Sequence, residues 1–303
     1  MRADDRERAM LAEQLINGLV LGAMYALIAI GYSLVFGVLD KLTFAHSEIF
    51  MFGGYVGVAT VALGAPVWWA IPAVIVVAGV LGLITEYVSF RKFATPDGHI
   101  TAALSSFALG IVMIDLTQKW WGTDPVDLGI PREIYTASIT VAGIRLAYIK
   151  LAILGVTLAL MVWLQLMITR SRTGRNIRAV AESTTVAALL GIDVKRVTQQ
   201  TFFIASALAG IAGLMLAMRG GYADSSVGLN FALKALAIMA IGGMGDVRGA
   251  MIGGLAIGVL EGLAFQFGLG KISEALVWAL MIAVLLVKPT GLLGRALARE
   301  VRA

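Results

Sequence analysis

Few side chains in this 303-residue sequence could carry out chemistry, and their spacing argues against most reactions. The two histidines, His46 and His99, lie far apart, and neither belongs to an HExxH metal-binding helix. No GxSxG turn presents a nucleophilic serine, and the lack of cysteine removes thiolate ligands and disulfides. His46 and Glu48 are two residues apart, so a regular helix points them in different directions and makes them poor acid–base partners. A phosphate cradle needs clustered backbone amides and a GxxxxGK[ST] run, which the sequence does not contain, so an ATP site in this chain is excluded. What remains are ionisable groups embedded in apolar stretches, which are costly there and are default candidates for function. Glu261 in GVLEGLAF lies deepest, with Lys234 either pairing with it or snorkelling outward. Asp115 and Lys119, spaced i, i+4 beside Trp120 and Trp121, read as a local ion pair. Glu261 is open to two roles, because intramembrane polar groups also hold helices together.

The elements that position these groups follow from composition. Hydrophobic residues make up 59% of the chain and charged ones 14%, against roughly 25% charged in an ordinary soluble domain. Apolar runs that read as membrane segments, some of them short for the roughly 17–25 residues a spanning helix needs, fall at Leu15–Val38, Ser47–Leu63, Val67–Phe90, Ile100–Trp120, Ala147–Thr169, Thr201–Met218, Phe231–Met244, Ala250–Phe267 and Ile272–Lys288. They are apolar on all sides and rich in Ala, Leu, Ile and Gly, without the alternation of a barrel strand. The expected fold is all-α, a polytopic transmembrane bundle of about eight to nine segments, some broken or re-entrant, forming a single domain over the whole chain. The 35 glycines suit close helix packing.

Net charge is +5, but Lys and Arg collect at the ends of apolar segments, where they set orientation and imply no nucleic acid. Arg91-Lys92, the cluster Arg170, Arg172, Arg175, Arg178, Lys195 and Arg196, and the tail with Lys288, Arg295, Arg299 and Arg302 mark a cytoplasmic side, with the C-terminus on it. The stretch from Trp120 to Tyr135 carries acids, prolines and the tryptophan pair suited to the outer interface. If all three early segments span, the N-terminus is outside; if Ser47–Leu63 is re-entrant, it is inside. The arm MRADDRERAMLAEQ has no small-residue cleavage site and does not read as a removable signal.

Two interruptions stand out. Asp40 to Tyr55, DKLTFAHSEIFMFGGY, leads from an ionisable cluster into a new apolar run, with Ser47 as the expected helix cap and Glu48 in the first turn. Ile241 to Gly254, IGGMGDVRGAMIGG, is the second. Broken helices of this kind often lie beside a transporter's substrate route, although both also read as tight turns with packing glycines. The polar stretch Ser171–Arg196 carries good helix formers over Ala179–Ile192, with apolar Val186, Leu189 and Leu190 and a terminating Gly191. Such a helix across the basic face could seat an apolar edge in a partner's groove or rest on lipid headgroups.

The run NGLVLGAMYALIAIGYSLVFGVLDKLTFAHSEIFMFGGYVG at Asn17–Gly57, the loop GRNIRAVAESTTVAALLGIDVKRV and IGGMGDVRGAMIGG together resemble the permease subunits of bacterial ABC importers for branched-chain and other hydrophobic amino acids, the LivH-type family. The similarity covers nearly the whole chain. It implies an inner-membrane importer built from this chain, a second related permease subunit, two ATP-binding subunits and a periplasmic solute-binding protein. ATP and Mg would be bound by the partner ATPase subunits, and this chain would carry no cofactor. The resemblance makes residues 171–198 a coupling loop, with Arg175, Arg178, Glu182, Ala187, Leu190 and Gly191 as candidate contacts to the ATPase. Of these, Glu182 and Gly191 match positions that similar permeases use. Family members commonly have Gly at Ser47, Asn at Thr43, and small or Pro residues at Asp246 or Arg248, departures that bear on the cargo; similar permeases also carry urea, amides and small organic acids.

A conduit fed by a binding protein needs little affinity of its own, since what binds too well cannot leave. Candidate path residues are therefore weakly polar or small: Asn17, Tyr25, Tyr32, His46, Glu48, Gly53, Gly54, Gly242 and Gly243, with Glu261. An ion-coupled secondary transporter and a passive channel for small neutral solutes are the alternative expectations.

Overall fold

The computed structural model describes residues 3–93, 98–141 and 144–294. In chain order its helices are α1 (Ala3–Leu39), α2 (His46–Ala62), α3 (Ala70–Thr85), α4 (His99–Trp121), α5 (Arg132–Thr136), α6 (Tyr148–Arg170), α7 (Arg172–Glu182), α8 (Thr184–Leu189), α9 (Val194–Gly220), α10 (Val227–Gly242), α11 (Val247–Gln266) and α12 (Ser273–Val287). A π-helical turn, Glu86–Phe90, prolongs α3. The chain is an integral membrane protein: among the described residues seven helices are long and apolar enough to span, α10 is a shorter apolar helix, and α2 adds 17 residues. The all-α bundle expected from composition is what forms.

Contacts sort the helix ends onto two sides. On one side Lys41 Nζ donates to the Phe93 carbonyl. Val38 at the end of α1 packs there with Ile177, Val180, Ala187 and Val197, and the Leu292 amide donates to the Ile241 carbonyl. This is the basic side. On the other, β1 (Val126–Asp127) pairs antiparallel with β4 (Tyr222–Ala223), and Leu128 beside them contacts the far end of α2. Because α2 reaches that far side, the segment does not turn back, and α1 begins opposite the basic end. A second strand pair, the hairpin of β2 (Ser138–Val141) with β3 (Ile144–Ala147), was not expected; its short apolar–polar alternation lies between two spans. The tail arginines Arg295, Arg299 and Arg302, and the side chain of His99, lie outside the described residues.

Helix starts follow local chemistry. Ser171 Oγ accepts from the Gly174 amide, Ser183 Oγ from Val186, Asp193 from Arg196, and Asp246 Oδ1 from both Arg248 and Gly249. Asp246 is thus the cap of α11. The expectation that Ser47 caps α2 is corrected: the N-cap is Ala45, with no side-chain cap, and Ser47 lies inside the helix with its hydroxyl turned to the Phe44 carbonyl. The single helix expected over Ala179–Ile192 is likewise two, because Ser183 leaves helical geometry to cap α8.

The centre of the bundle is α1, buried on nearly every side between α9, α10, α11 and α6. Hydrocarbon gives helices no hydrophobic reason to associate, so close backbone approach supplies the contact. A Cβ on Gly258 would lie 2.2 Å from Gly22 Cα, and one on Gly18 would lie 2.5 Å from the Gly258 carbonyl oxygen. Gly155 on α6 has nothing within 4 Å of such a Cβ. Gly258→Leu is therefore expected to cost about 1–3 kcal/mol or more by overpacking, and Gly155→Ala to stay within about 0.5 kcal/mol of the parent or gain slightly. Thermal unfolding in detergent followed by size-exclusion chromatography checks the pair; equal melting for both variants would contradict the packing.

Candidate functional site

Three groups of candidate residues separate in space. The first is a buried ionic cluster joining α1, α10 and α11. Tyr25 Oη donates to Glu261 Oε2 at 2.8 Å, while Lys234 Nζ donates to Glu261 Oε1 at 2.8 Å and to Tyr25 Oη at 3.1 Å. Glu261 is 2% exposed, and Lys234 also sits 5.3 Å from the centre of the Tyr25 ring. Phe231 covers this cluster, tilted on Tyr25 and stacked on Phe50. Each carboxylate oxygen is bonded, so Glu261 links α11 to α1 and α10. Its partner Tyr25 lies 236 residues away in sequence. Asn17, another candidate, accepts from Lys150 Nζ at 2.7 Å and ties α1 to α6.

The second group surrounds the break between α1 and α2. Asp40 turns the chain with φ of 51°, the only non-glycine residue at positive φ among those described. The chain then climbs into the bundle: the Phe44 amide donates to Ser106 Oγ, and Ala45 and the Glu48 side chain lie against Gly110, the midpoint of α4. So α2 starts at mid-depth. His46 packs on Gly31 and edge-on to Tyr32, ring centroids 4.8 Å apart, whereas Glu48 turns towards Gly110 and Gly228. The two side chains point apart, as their spacing requires. Tyr32 Oη, Thr43 Oγ1, His46 Nε2 and Glu48 Oε2 are buried without a hydrogen-bond partner.

The glycine candidates are contact points between backbones. A Cβ on Gly53 would lie 1.9 Å from the Gly210 carbonyl oxygen, and one on Gly54 3.2 Å from Ala217 Cβ. Gly242 meets Gly249, and Gly243, with φ of 110°, meets Gly294 in the turn between α10 and α11. The second interruption is thus a tight turn with packing glycines. Nearby, in the amide orientation that satisfies both side chains, Gln165 Oε1 accepts from Arg248 Nε and Nη2, an α6–α11 tie that the sequence did not suggest.

The third group is the basic-side segment. Ala187 is buried against Val38, Ile177, Val180 and Val197, so it anchors the segment to its own chain and is not available to a partner. Arg178 donates to the Ile168 carbonyl at the end of α6. Arg175 and Glu182 are exposed, and Gly191 turns the chain with φ of 79°. Val186, Leu189 and Leu190 stand in solvent, Leu189 at 82% exposure, as one apolar edge on α8 and its C-cap.

Residues 14–285 match the family model described as the permease component of branched-chain amino acid transport systems. The chain is 33% identical to the high-affinity branched-chain amino acid transport system permease protein BraD of Pseudomonas aeruginosa, over 93% of this chain and 95% of that protein. It is 34% identical to the protein of the same description, LivH, of Escherichia coli strain K12, with the same coverage.

Removing one member of the ionic cluster leaves a charge buried alone. Lys234→Met is expected to destabilise by about 3–5 kcal/mol, whereas Lys234→Met with Glu261→Leu recovers most of that loss. Denaturation of the two single variants and the double variant in detergent measures the coupling; additive losses would show that the cluster is not a cross-link.

Proposed function

The chain belongs to the family of branched-chain amino acid transport permease components, and from that premise we propose how it works: as the conduit of an importer driven by two ATP-binding subunits on its basic side and fed by a periplasmic solute-binding protein on the other. The cargo is a branched-chain or other small hydrophobic amino acid, after the substrates named for its relatives. ATP and Mg belong to the partner subunits. The whole chain acts as one permease domain in the inner membrane, its C-terminus cytoplasmic, beside a second, related permease subunit.

The observation that carries this proposal is the apolar edge of Val186, Leu189 and Leu190. It projects beyond the membrane spans, yet its base is packed rigidly onto α1 and α9 through Ala187 and Ile177. A rigid base with an unsatisfied apolar edge transmits the motion of whatever grips it. Glu182, at the end of α7, would stand on the rim of that contact. Ion coupling finds less support, because Glu261, the residue that suggested it, is held by Lys234 and Tyr25.

Leu189→Asp with Leu190→Asp removes the edge without touching the core. Reconstituted uptake, and the ATP hydrolysis stimulated by loaded binding protein, are each expected to fall by about tenfold or more, as when an interface anchor is lost, while membrane insertion persists. Glu182→Arg should weaken both in the same direction. Unchanged uptake in these variants would remove the segment from coupling.

A further inference from the structure

Glu48 is a carboxyl at mid-depth in a membrane bundle, 5% exposed, with no lysine or arginine paired to it among the described residues. Its Oε1 lies 3.1 Å from Ser47 Oγ, but that hydroxyl has one hydrogen and the Phe44 carbonyl, at 2.8 Å, competes for it. Its Oε2 has no partner. The contrast with Glu261, whose two oxygens are both bonded by a cation and a phenol, is sharp. An anionic group left unanswered at this depth is costly unless a cation comes to it.

The surroundings point to what that cation belongs to. Glu48 stands in the first turn of α2, whose N-terminus carries no side-chain cap, and a helix start of this kind holds partial positive charge and favours an anion. Interrupted helices that start at mid-depth use such ends for a solute's anionic group. His46, two residues earlier, points the other way, onto Gly31 and Tyr32 of α1, and takes no part. One end of the site therefore suits a carboxylate and the other an ammonium group. Gly110 and Gly228 lie against the carboxyl, and a Cβ on Gly228 would sit 2.5 Å from Oε2, so the first turn of α10 covers it closely through a glycine.

We propose that Glu48 and the uncapped first turn of α2 form a mid-depth contact for a zwitterionic solute, the Glu48 carboxylate meeting its primary ammonium and the helix start its carboxylate. In the present conformation the contact is closed by the backbone of α4 and α10, and it opens when the start of α10 withdraws. The proposal rests on the amino acid cargo proposed above.

The test uses the assembled importer in vesicles with its solute-binding protein, with L-leucine, its deaminated analogue 4-methylpentanoate and urea as separate probes. The parent importer is expected to carry leucine and not the two solutes that lack an ammonium group. Glu48→Gln should lower leucine uptake per ATP hydrolysed by about tenfold to a hundredfold, the range for a lost charged hydrogen bond. Leucine uptake should not change when external sodium is replaced by choline. If leucine is carried and Glu48→Gln leaves uptake per ATP unchanged, the Glu48 contact is overturned while the importer's proposed cargo stands. If 4-methylpentanoate or urea is carried in preference to leucine, both fall. A strict requirement for sodium would make sodium the cation and overturn the proposal. Should Glu48→Gln fail to co-purify with the ATP-binding subunits, Glu48→Asp decides: a loss of about fivefold or more, from a charge withdrawn by one methylene, supports the contact, and unchanged uptake overturns it.

Discussion

The bundle depends on α1 being gripped backbone to backbone. Lipid tails are as apolar as leucine, so burying α1 among them releases nothing, and what holds it is the closeness that Gly18, Gly22, Gly254 and Gly258 allow along α11. Other features are referred to this axis. Asn17 ties it to α6, Tyr25 ties it to α10 and α11, and Val38 ties its basic end to α7 and α8. These ties fix α1 to its neighbours near its start, at its middle and at its basic end.

The same constraint decides which polar groups are structural. Backbone and charge at membrane depth have no water to fall back on, so each must find a partner inside the protein. Glu261 does so with Lys234 and Tyr25, and Glu86 does so with Arg91 at 2.5 Å beside the π-helical turn of α3. Around the break between α1 and α2 the pattern fails: Tyr32, Thr43, His46 and Glu48 each keep an unpartnered buried atom. Tyr55, Tyr135 and Ser206 keep unpartnered hydroxyls elsewhere, but Glu48 is the one carboxylate among these buried atoms, and it lies where a helix starts within the bundle.

Much of this was legible in the residues. Apolar length and glycine content sufficed for the spans, because in a membrane those two properties are the fold's main determinants, and the basic clusters at Arg91, Arg170 and Arg196 marked one side together. Glu261 stood out by its cost alone. Its partner Tyr25 did not, since a contact between α1 and α11 depends on packing that no local pattern encodes. The Ser47 cap failed for a related reason: capping needs extended backbone before the helix, and Ala45 already has helical dihedral angles. The break at Ser183 had a local signal, a capping serine ahead of a helical run, but the helix formers on either side masked it. The buried face of Ala187 depended on where the whole segment docks.

These features fit the conduit proposed above: an axis gripped along α1, a helix that begins within the bundle at α2, and an apolar edge on the basic side. The most direct measurement is leucine accumulation in vesicles holding the permease pair, with and without the ATP-binding subunits, under imposed ATP or an imposed ion gradient. Accumulation only when the subunits and ATP are both present is the predicted result. Uphill movement of solute by the permeases alone, driven by a proton or sodium gradient, would contradict it.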